Sequence, residues 1–334
     1  MNLDVLILSL LLPAPMHKML PAPKVPALER LLARADRQVA VTPMGTSWLC
    51  EHWGMAAPYA IAPLLAEYDG VDRSNHAWMF AEPFHHAPEQ KWQKLSPAHL
   101  LELTALESAE LIAALNTHFA DRALIFFAPT PARWYVRCNP AEVPNTTPLD
   151  QARFGSPLDY QPTSLGSINW RAIQNEAQML LYSHPVNVAR EAAGTPVVSG
   201  VWFWGGGVQP KLTKPAYNRV IASSPLAVQL AKNSAINVYP LAWDSVPSTD
   251  GNALVVIDSC ADLAREFDLL KWGHELERLD HEWFLPISQA LSNGSIQRLT
   301  LHAPLAEWTQ TFQLTRRNYR FRFWRATKPL RSYA

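Results

Sequence analysis

The sequence predicts an α/β protein in which an α/β domain carries an inserted α+β domain. Three observations lead there. An apolar run near the start reads as a fully buried strand. Strand and helix patterns alternate at both ends of the chain. Between them lies a stretch of different texture, with paired short strands, two amphipathic helices and a segment rich in Pro, Thr, Ser and Gly. The expected core is residues 1–74 with 225–334, and the expected insert is 75–224.

In chain order, Val5–Leu12 is the first strand. Asp4 before it and the lack of a basic leader argue against a signal peptide, and the run is too short to span a bilayer. "KVPALERLLARAD" reads as a helix with Pro26 near its start and Leu28, Leu31 and Leu32 on one face. "GTSWLCEHWG" and "AIAPLLAEYDG" read as short helices ended by Gly54 and by Asp69–Gly70. "HAWMFAEPFHH" reads as a strand broken at Pro83. "ALESAELIAALNTHFAD" reads as an amphipathic helix with Leu106, Ala109, Ile112, Ala113 and Leu115 inward. "RALIFFAP" and "RWYVRCNP" read as strands that pair, and residues 140–168 as a long ordered loop. "NWRAIQNEAQMLLYSHP" is a helix capped by Asn169 and stopped before Pro185. "PVVSGVWFWGGG" is a strand running into a glycine turn, with Trp202 and Trp204 facing the preceding helix and Phe203 the other way. Then come a helix ("PLAVQLAKNS"), a buried strand ("NALVVIDS"), a long helix ("DLLKWGHELERLDHEWFLPISQAL") and a strand ("IQRLTLHAP"). The closing "TFQLTRRNYRFRFWR" supplies one or two more strands.

Charge and cysteine content narrow the function. The 334 residues hold 29 basic and 29 acidic side chains, so no global excess of positive charge points to nucleic acid. "RRNYRFRFWR" has two readings: an anion- or nucleic-acid-binding strip, or a half-buried strand with Tyr319, Phe321 and Phe323 on one face. The regular alternation favours the strand. Cys50, Cys138 and Cys260 form no C-x-x-C, and an odd count without a leader points to reduced thiols and a cytoplasmic setting. His85 and His86 are adjacent, so on a strand they face opposite ways. His274 and His281 are two helical turns apart but not in an H-E-x-x-H frame; a surface or capping role suits them. There is no G-x-S-x-G, P-loop or G-x-G-x-x-G, and "GGG" followed by Gln209-Pro210 is not a phosphate loop.

The sharpest local constellation is "SHPVNVAREAAG", in which His184, Asn187 and Arg190 recur at intervals of three. It reads either as an anion site built on the arginine fork or as a capped helix start with polar surface groups. Extended to "HPVNVAREAAGTPVVSGVWFWGGG", the segment resembles archaeal-type cofactor-independent phosphoglycerate mutases, through H-P-[VI]-N-x-x-R and then a strand ending W-x-W-G. Those enzymes belong to the alkaline-phosphatase-like superfamily. Through "HAWMFAEPFHH", "LIAALNTHF", "RWYVR", "TTPL", "NEAQMLLYSHPVN", "WFWGGG", "RLTLHAP" and "RFWR", the chain is similar almost end to end to a proteobacterial family of RpfE-type regulatory proteins.

The resemblance implies an alkaline-phosphatase-like core sheet flanked by helices, with an inserted α+β domain. It also implies a chemistry: two divalent metals and a phosphoryl-carrying serine. Here Ser9 or Leu10 stands where the first strand should end in a metal-binding Asp. "VPALE" (Val25–Glu29) matches the family's "TPNLD". In "PMGTSWLCEHWG" a gapless match puts Gly45 at the serine and Thr46 at a metal Asp; a two-residue shift puts Ser47 at the nucleophile but Trp48 at the Asp. Asp258 and Asp262 remain in a run with no histidine, and His302 remains where Thr300 or Leu301 replaces its Asp. No metal or other cofactor is expected, or Mn or Mg if the chain is active. The expectation is a non-catalytic protein with a regulatory or metabolite-sensing role. Its ligand residues would be His184, Asn187, Arg190, Trp202, Trp204, Gly205, Gly206 and Gly207, taking a small phosphorylated or carboxylate metabolite. The alternatives are an active phosphoglycerate mutase or related metal-dependent phosphotransfer enzyme using Ser47, and a structural interaction protein. Neither nucleic acid nor membrane is expected as a partner.

Overall fold

The structure, a computed structural model, describes residues 1–13, 16, 22–41, 45–71, 76–88, 93–152, 157–246, 251–305 and 308–333. Its strands are β1 (Asn2–Ile7), β2 (Asp36–Ala40), β3 (Ala77–Pro88), β4 (Gln93–Ser96), β5 (Ile125–Thr130), β6 (Arg133–Cys138), β7 (Gly200–Gly207), β8 (Arg219–Ala222), β9 (Asn237–Tyr239), β10 (Asn252–Ile257), β11 (Arg298–Pro304) and β12 (Thr309–Thr315). The longer helices are α1 (Pro26–Arg34), α2 (Gly45–His52), α3 (Ala62–Tyr68), α4 (Ala105–His118), α5 (Trp170–Tyr182), α6 (Pro185–Ala192), α7 (Pro225–Asn233), α8 (Ser259–Arg265), α9 (Leu269–Leu279), α10 (Leu285–Asn293) and α11 (Arg316–Phe321).

The chain divides into two compact units, Met1–Gly54 with Leu212–Ala334, and Met55–Lys211. The expected first boundary, after residue 74, lies outside the described residues. The unit boundary comes earlier because α3 packs on β3 and β7. The return to the first unit also precedes residue 225, because β8 pairs in parallel with β10.

The first unit is built on a seven-stranded sheet in the order β2-β12-β11-β1-β10-β8-β9. β1 sits between β10 and β11, parallel to both, with Val5 opposite Val255 and Leu301. Val5, Leu6 and Ile7 in succession are fully buried, so both faces of the strand are covered, which is why the first run carries so little alternation. The strand ends at Ile7, short of the expected Leu12, where Ser9 turns the chain at φ 59°. Leu3, Val5 and Ile7 join Leu28, Leu31 and Leu32 of α1 and Trp272, Leu276 and Phe284 in one core.

The expected long helix carries a π segment, Asp280–Phe284, between α9 and α10. Pro286 lacks the N–H that a continuous α ladder would need, and the wider turn absorbs the defect. The π segment also aims the buried Asp280 carboxylate at the start of α1, where Oδ2 accepts from Ala27 N (3.1 Å) and Oδ1 from Leu28 N (2.7 Å). Val25, the residue before α1, offers no side-chain cap of its own, so Asp280 satisfies those orphan donors from a distance. The closing segment corrects the strand reading. After β12, Thr315 caps α11 through Asn318 N, and the Tyr-Arg-Phe alternation lies on a helix and the turn after it.

In the second unit, β3 pairs antiparallel with β7, β6 and β4, and β5 pairs with β6. β3 is not broken at Pro83. That residue is paired with Val201 of β7 along one edge, but along the other it lies in the gap between the stretch bound to β6 (Ala77–Phe80) and the stretch bound to β4 (His85–Pro88), an edge where a missing N–H is tolerated. One face of the sheet carries α4 and α5 around Trp134, Trp170 and Phe203. The inward face of α4 is Ser108, Leu111, Ile112 and Leu115; Leu106, expected inward, is 70% exposed. The capping box of Thr104 and Glu107 sets the helix start. Asn169 caps α5 as expected. Trp202 and Trp204 do share a strand face, but not the one toward the helix. Phe203 packs on Trp170 of α5 (5.0 Å between ring centroids), while Trp202 lies with Phe84, Leu95 and Leu149 on the opposite side.

Candidate functional site

Trp204 leads to a cleft within the second unit, about 340 Å³ in volume. Its aromatic wall is a run of stacked rings: Trp204 on Phe80 (4.4 Å, 27°) and Phe80 on Tyr135 (5.2 Å, 29°). Alternation along β3 and β6 puts Phe80 and Tyr135 on the same side, away from α4 and α5. Glu82 Oε2 accepts from Trp204 Nε1 at 2.8 Å, fixing the indole's tilt. Arg133 reaches the cleft from the start of β6. Asp69, just past α3, accepts from Arg133 Nε (2.6 Å) and Nη2 and from Tyr135 OH (2.6 Å), and its side chain is 5% exposed. Burial, followed by the bond to Asp69, pushes the Tyr135 phenol well above its usual range. Leu65, Ala98, His99 and Trp134 also line it, beside Thr130 and Ala132. The cleft thus combines an aromatic surface, one carboxylate and a guanidinium clamped along one edge.

The glycines after Trp204 remain in the strand rather than forming a turn beyond it. Gly205 lies at φ +64°, and a Cβ there would stand 3.1 Å from the Phe80 ring. A Cβ on Gly206 would stand 2.4 Å from Met79 Cγ. These positions let β7 run tight against β3 through the register shift between Trp78 and Phe80. The indole of Trp202 is spoken for, its Nε1 donating to Thr147 O at 2.8 Å.

The first half of the motif forms a buried lock one strand-length away. His184 is the N-cap of α6, its Nδ1 accepting from Val186 N at 3.2 Å. Asn187, 3% exposed, donates through Nδ2 to Leu181 O and Val198 O and accepts from Val198 N. Arg190, 6% exposed, donates to Pro196 O, Glu107 Oε1 and Leu101 O. Together they tie the end of α5, the entry to β7 and the cap of α4. Leu101 closes the short turn Ala98–Leu101, which supplies Ala98 and His99 to the cleft. Of the residues expected to bind a ligand, the structure therefore brings Trp204 to the cleft, keeps Gly205, Gly206 and Gly207 in the strand beyond it, and sets Asn187 and Arg190 behind the rim. Phe80, Glu82, His99, Arg133 and Asp69 were not singled out in the sequence. The alternation in "HAWMFAEPFHH" was the signal available for Phe80 and Glu82.

In the first unit, Ser47 is half-buried on α2. Asp258 follows β10 and bonds Ser224; burial raises its carboxyl above the ordinary range. Asp262 pairs with Arg265 at 2.6 Å. His302 Nδ1 lies 3.3 Å from Thr311 Oγ1, and its ring is 4.7 Å from Trp48. Burial pushes His302 down to about 4, with Asp4 opposing that shift and His52 adding to it. The neighbours of His302 were not foreseen either. Trp48 stacks on His52 at 4.5 Å, His52 on Tyr217 at 5.4 Å, and Tyr217 OH donates to Asp4 at 2.8 Å.

Among the described residues, no group of three or more His, Cys, Asp or Glu converges as a metal ion would require. Asp258 and Asp262 are engaged with protein partners and His302 with an aromatic stack, so this donor set does not fit a pair of divalent cations. The three cysteines are buried and unbridged, each pushed up to about 12 by burial. Among the described residues no helix is long and apolar enough to cross a membrane.

No protein-family model matches the sequence, and no curated protein matches it. Solved structures do. A protein from Pyrococcus horikoshii is 12% identical, with 94% of this chain and 87% of that chain covered and a TM-score of 0.54. A cofactor-independent phosphoglycerate mutase from Thermoplasma acidophilum is 14% identical, with 94% of this chain and 90% of that chain covered and a TM-score of 0.44. The likeness to the Pyrococcus horikoshii protein is one of fold, and the fold is that of an α/β protein with a central sheet flanked by helices, as expected.

Proposed function

We propose that this chain is a non-catalytic protein of phosphoglycerate-mutase-like fold with a metabolite-sensing or regulatory role, as the resemblance to RpfE-type proteins implies. The observation that carries the proposal is an asymmetry. The strand that ends the motif walls a cleft of about 340 Å³, whereas Asp258, Asp262 and His302, the residues left at the metal positions, are committed to other contacts. The proposed ligand is a small metabolite bearing a carboxylate or phosphoryl group. Arg133 and His99 meet its anion, Glu82 accepts from a hydroxyl, and the Trp204 face covers its carbon skeleton. His184, Asn187 and Arg190 serve the site by holding its rim.

Two measurements on the purified chain test this. The first is metal content with a mutase assay in added Mn²⁺. Interconversion of 3- and 2-phosphoglycerate that Ser47→Ala abolishes would replace this reading with an active mutase. The second is a thermal-shift screen of glycolytic phosphates and carboxylates. A ligand that binds only the native state at a hundred times its Kd adds about 2.7 kcal/mol of stability, and Trp204→Ala removes the shift. If no such compound shifts the native chain, a purely structural interaction protein is the better reading.

A further inference from the structure

The C-terminal segment, whose alternation predicts a half-buried strand, is instead a short helix and the turn after it. Of the three rings such a strand would have buried together, only Tyr319 is covered (5% exposed), while Phe321 is 63% and Phe323 72% exposed. Trp324 beside them is 67% exposed, the most exposed tryptophan among the described residues. A chain does not leave three large neighbouring rings in water without consequence.

The exposure does not come from a frayed end. Tyr319 O accepts from Arg34 Nη1 at 2.9 Å, and the Arg34 guanidinium lies 4.6 Å from the Tyr319 ring centre. Arg322 clasps Asp36 with Nη1 at 2.7 Å and Nη2 at 3.0 Å, and Arg325 Nη1 donates to Ala35 O at 3.0 Å. Further on, Leu330 is 2% exposed and its N–H donates to Glu29 Oε1 at 3.1 Å. The rings are therefore presented on a backbone fixed on both sides of them. Phe323 and Trp324 stand edge to face at 5.6 Å, and the Arg317 guanidinium is 6.0 Å from the Phe321 ring centre.

Charge identifies the occupant. Residues 316–334 hold six arginines and one lysine and no acidic residue, in a chain whose overall basic and acidic counts are equal at 29 each. We propose that this rigid surface of Phe321, Phe323, Trp324 and the surrounding arginines binds single-stranded nucleic acid. The rings stack on bases, and the arginine forks take the phosphates. Arginine predominates over lysine, and its planar fork matches a phosphodiester and stacks on bases as well. Exposed aromatic faces interleaved with cations are what sequence-tolerant single-strand binding requires. A membrane-surface helix would need a longer amphipathic element with an aliphatic face, and α11 has six residues. The expectation against nucleic acid rested on net charge and on the strand reading. The first is silent about a local patch, and the second is overturned.

The test is fluorescence polarisation of the full chain with labelled oligothymidylate and oligouridylate of roughly 16 nucleotides, the upper end of one-site lengths for such surfaces. Binding is expected at low salt. Trp324→Ala and Phe323→Ala should each weaken it about thirtyfold, as base stacking does at the middle of its range, and Trp324→Tyr should restore most of the loss. Arg317→Gln and Arg320→Gln should each lower the slope of log affinity against log salt by about 0.7. Melting temperatures of all these variants should stay at the wild-type value, because the replaced side chains are exposed. No binding at low salt would overturn the proposal. So would binding that the aromatic variants leave unchanged, since that marks a general polyanion patch. Sedimentation with anionic vesicles in place of oligonucleotide binding would overturn it too.

Discussion

Replacing Arg190 with methionine removes the guanidinium but keeps a long apolar stem, so the loss can be worked out bond by bond. The carbonyl of Leu101 is buried and loses its donor, which costs about 1–3 kcal/mol. Glu107 loses a charged partner, but its side chain is 24% exposed and can rehydrate, so that share is about 1 kcal/mol or less. Pro196 is exposed, and its carbonyl turns to water at little penalty. Methionine packing returns up to about 1 kcal/mol. The Glu107 and methionine contributions roughly cancel, and the sum is a destabilisation of about 1–3 kcal/mol in the second unit, read by urea unfolding with far-UV circular dichroism. Amide exchange should rise in the Ala98–Leu101 turn before it rises in β6. A pH signature accompanies it. Burial raises the Glu107 carboxyl, but the bonds from Thr104 N and Arg190 more than offset this and its pKa falls below the ordinary value. The carboxylate is therefore stabilising above its unfolded pKa, and that contribution is lost as pH drops through the lower folded value. In Arg190→Met this acid-side loss should shrink. A change in stability under about 0.5 kcal/mol, within the usual range for surface substitutions, would refute the lock.

Three further outcomes follow from the geometry. Gly205→Ala forces a Cβ to φ +64° and to 3.1 Å from Phe80, and should cost about 1–3 kcal/mol, read as a lowered midpoint in the same unfolding assay. Asp280→Ala takes the carboxylate from Ala27 N and Leu28 N and should destabilise the first unit by about 1–3 kcal/mol; little change would show that another group caps α1. His302, held near 4 mainly by burial, is neutral when folded but charges at its ordinary pKa when unfolded. Stability should therefore fall by roughly 2–3 kcal/mol as pH drops from the ordinary histidine value toward 4, and His302→Asn should flatten that limb of the curve.

Elements whose pattern had a single physical reading were legible in the sequence. "NALVVIDS" could be little but a buried strand, and Asn169 and Pro185 bracket α5 by capping chemistry and by a missing N–H. What failed was the choice between faces. In α4, Leu106 and Leu111 both sit on plausible apolar stripes, and the decision belongs to Thr104–Glu107, which fixes the helix start, and to Trp134 and Phe203, which receive the buried side. For Trp202 and Trp204 the alternation was right but the side was not, because a strand pattern does not say which face its helices cover. "RNYRFRF" alternates like a strand, yet Thr315 caps a helix there and Tyr319 alone reaches the core. The cleft was hidden for another reason. Asp69, Glu82, His99 and Arg133 come from four separate elements, and no spacing in the chain relates them.

The two halves of the motif act in series rather than as one ligand-binding set. Asn187 bonds both the backbone that leaves α5 and Val198 at the approach to β7, so it sets where β7 begins. Six residues after Val198, that register delivers Trp204 opposite Phe80, and Glu82 holds the indole in place. Arg190 reaches the same cleft by the other route, through Leu101 and the turn that carries His99. A one-residue slip of β7 would send Trp204 to the helix-covered face and Phe203 into the cleft. A polar lock buried away from the ligand surface can thus govern that surface, because its bonds to Val198 fix where the strand starts and the alternation from there decides which side chains face the cleft. The same logic separates the two parts of the motif by experiment. Asn187→Ala should disturb the second unit's stability and its ligand response together, whereas Trp204→Ala should remove the ligand response and leave most of the stability. If Asn187→Ala instead abolished the ligand response at unchanged stability, Asn187 would have to contact the ligand itself, and the serial arrangement would be wrong.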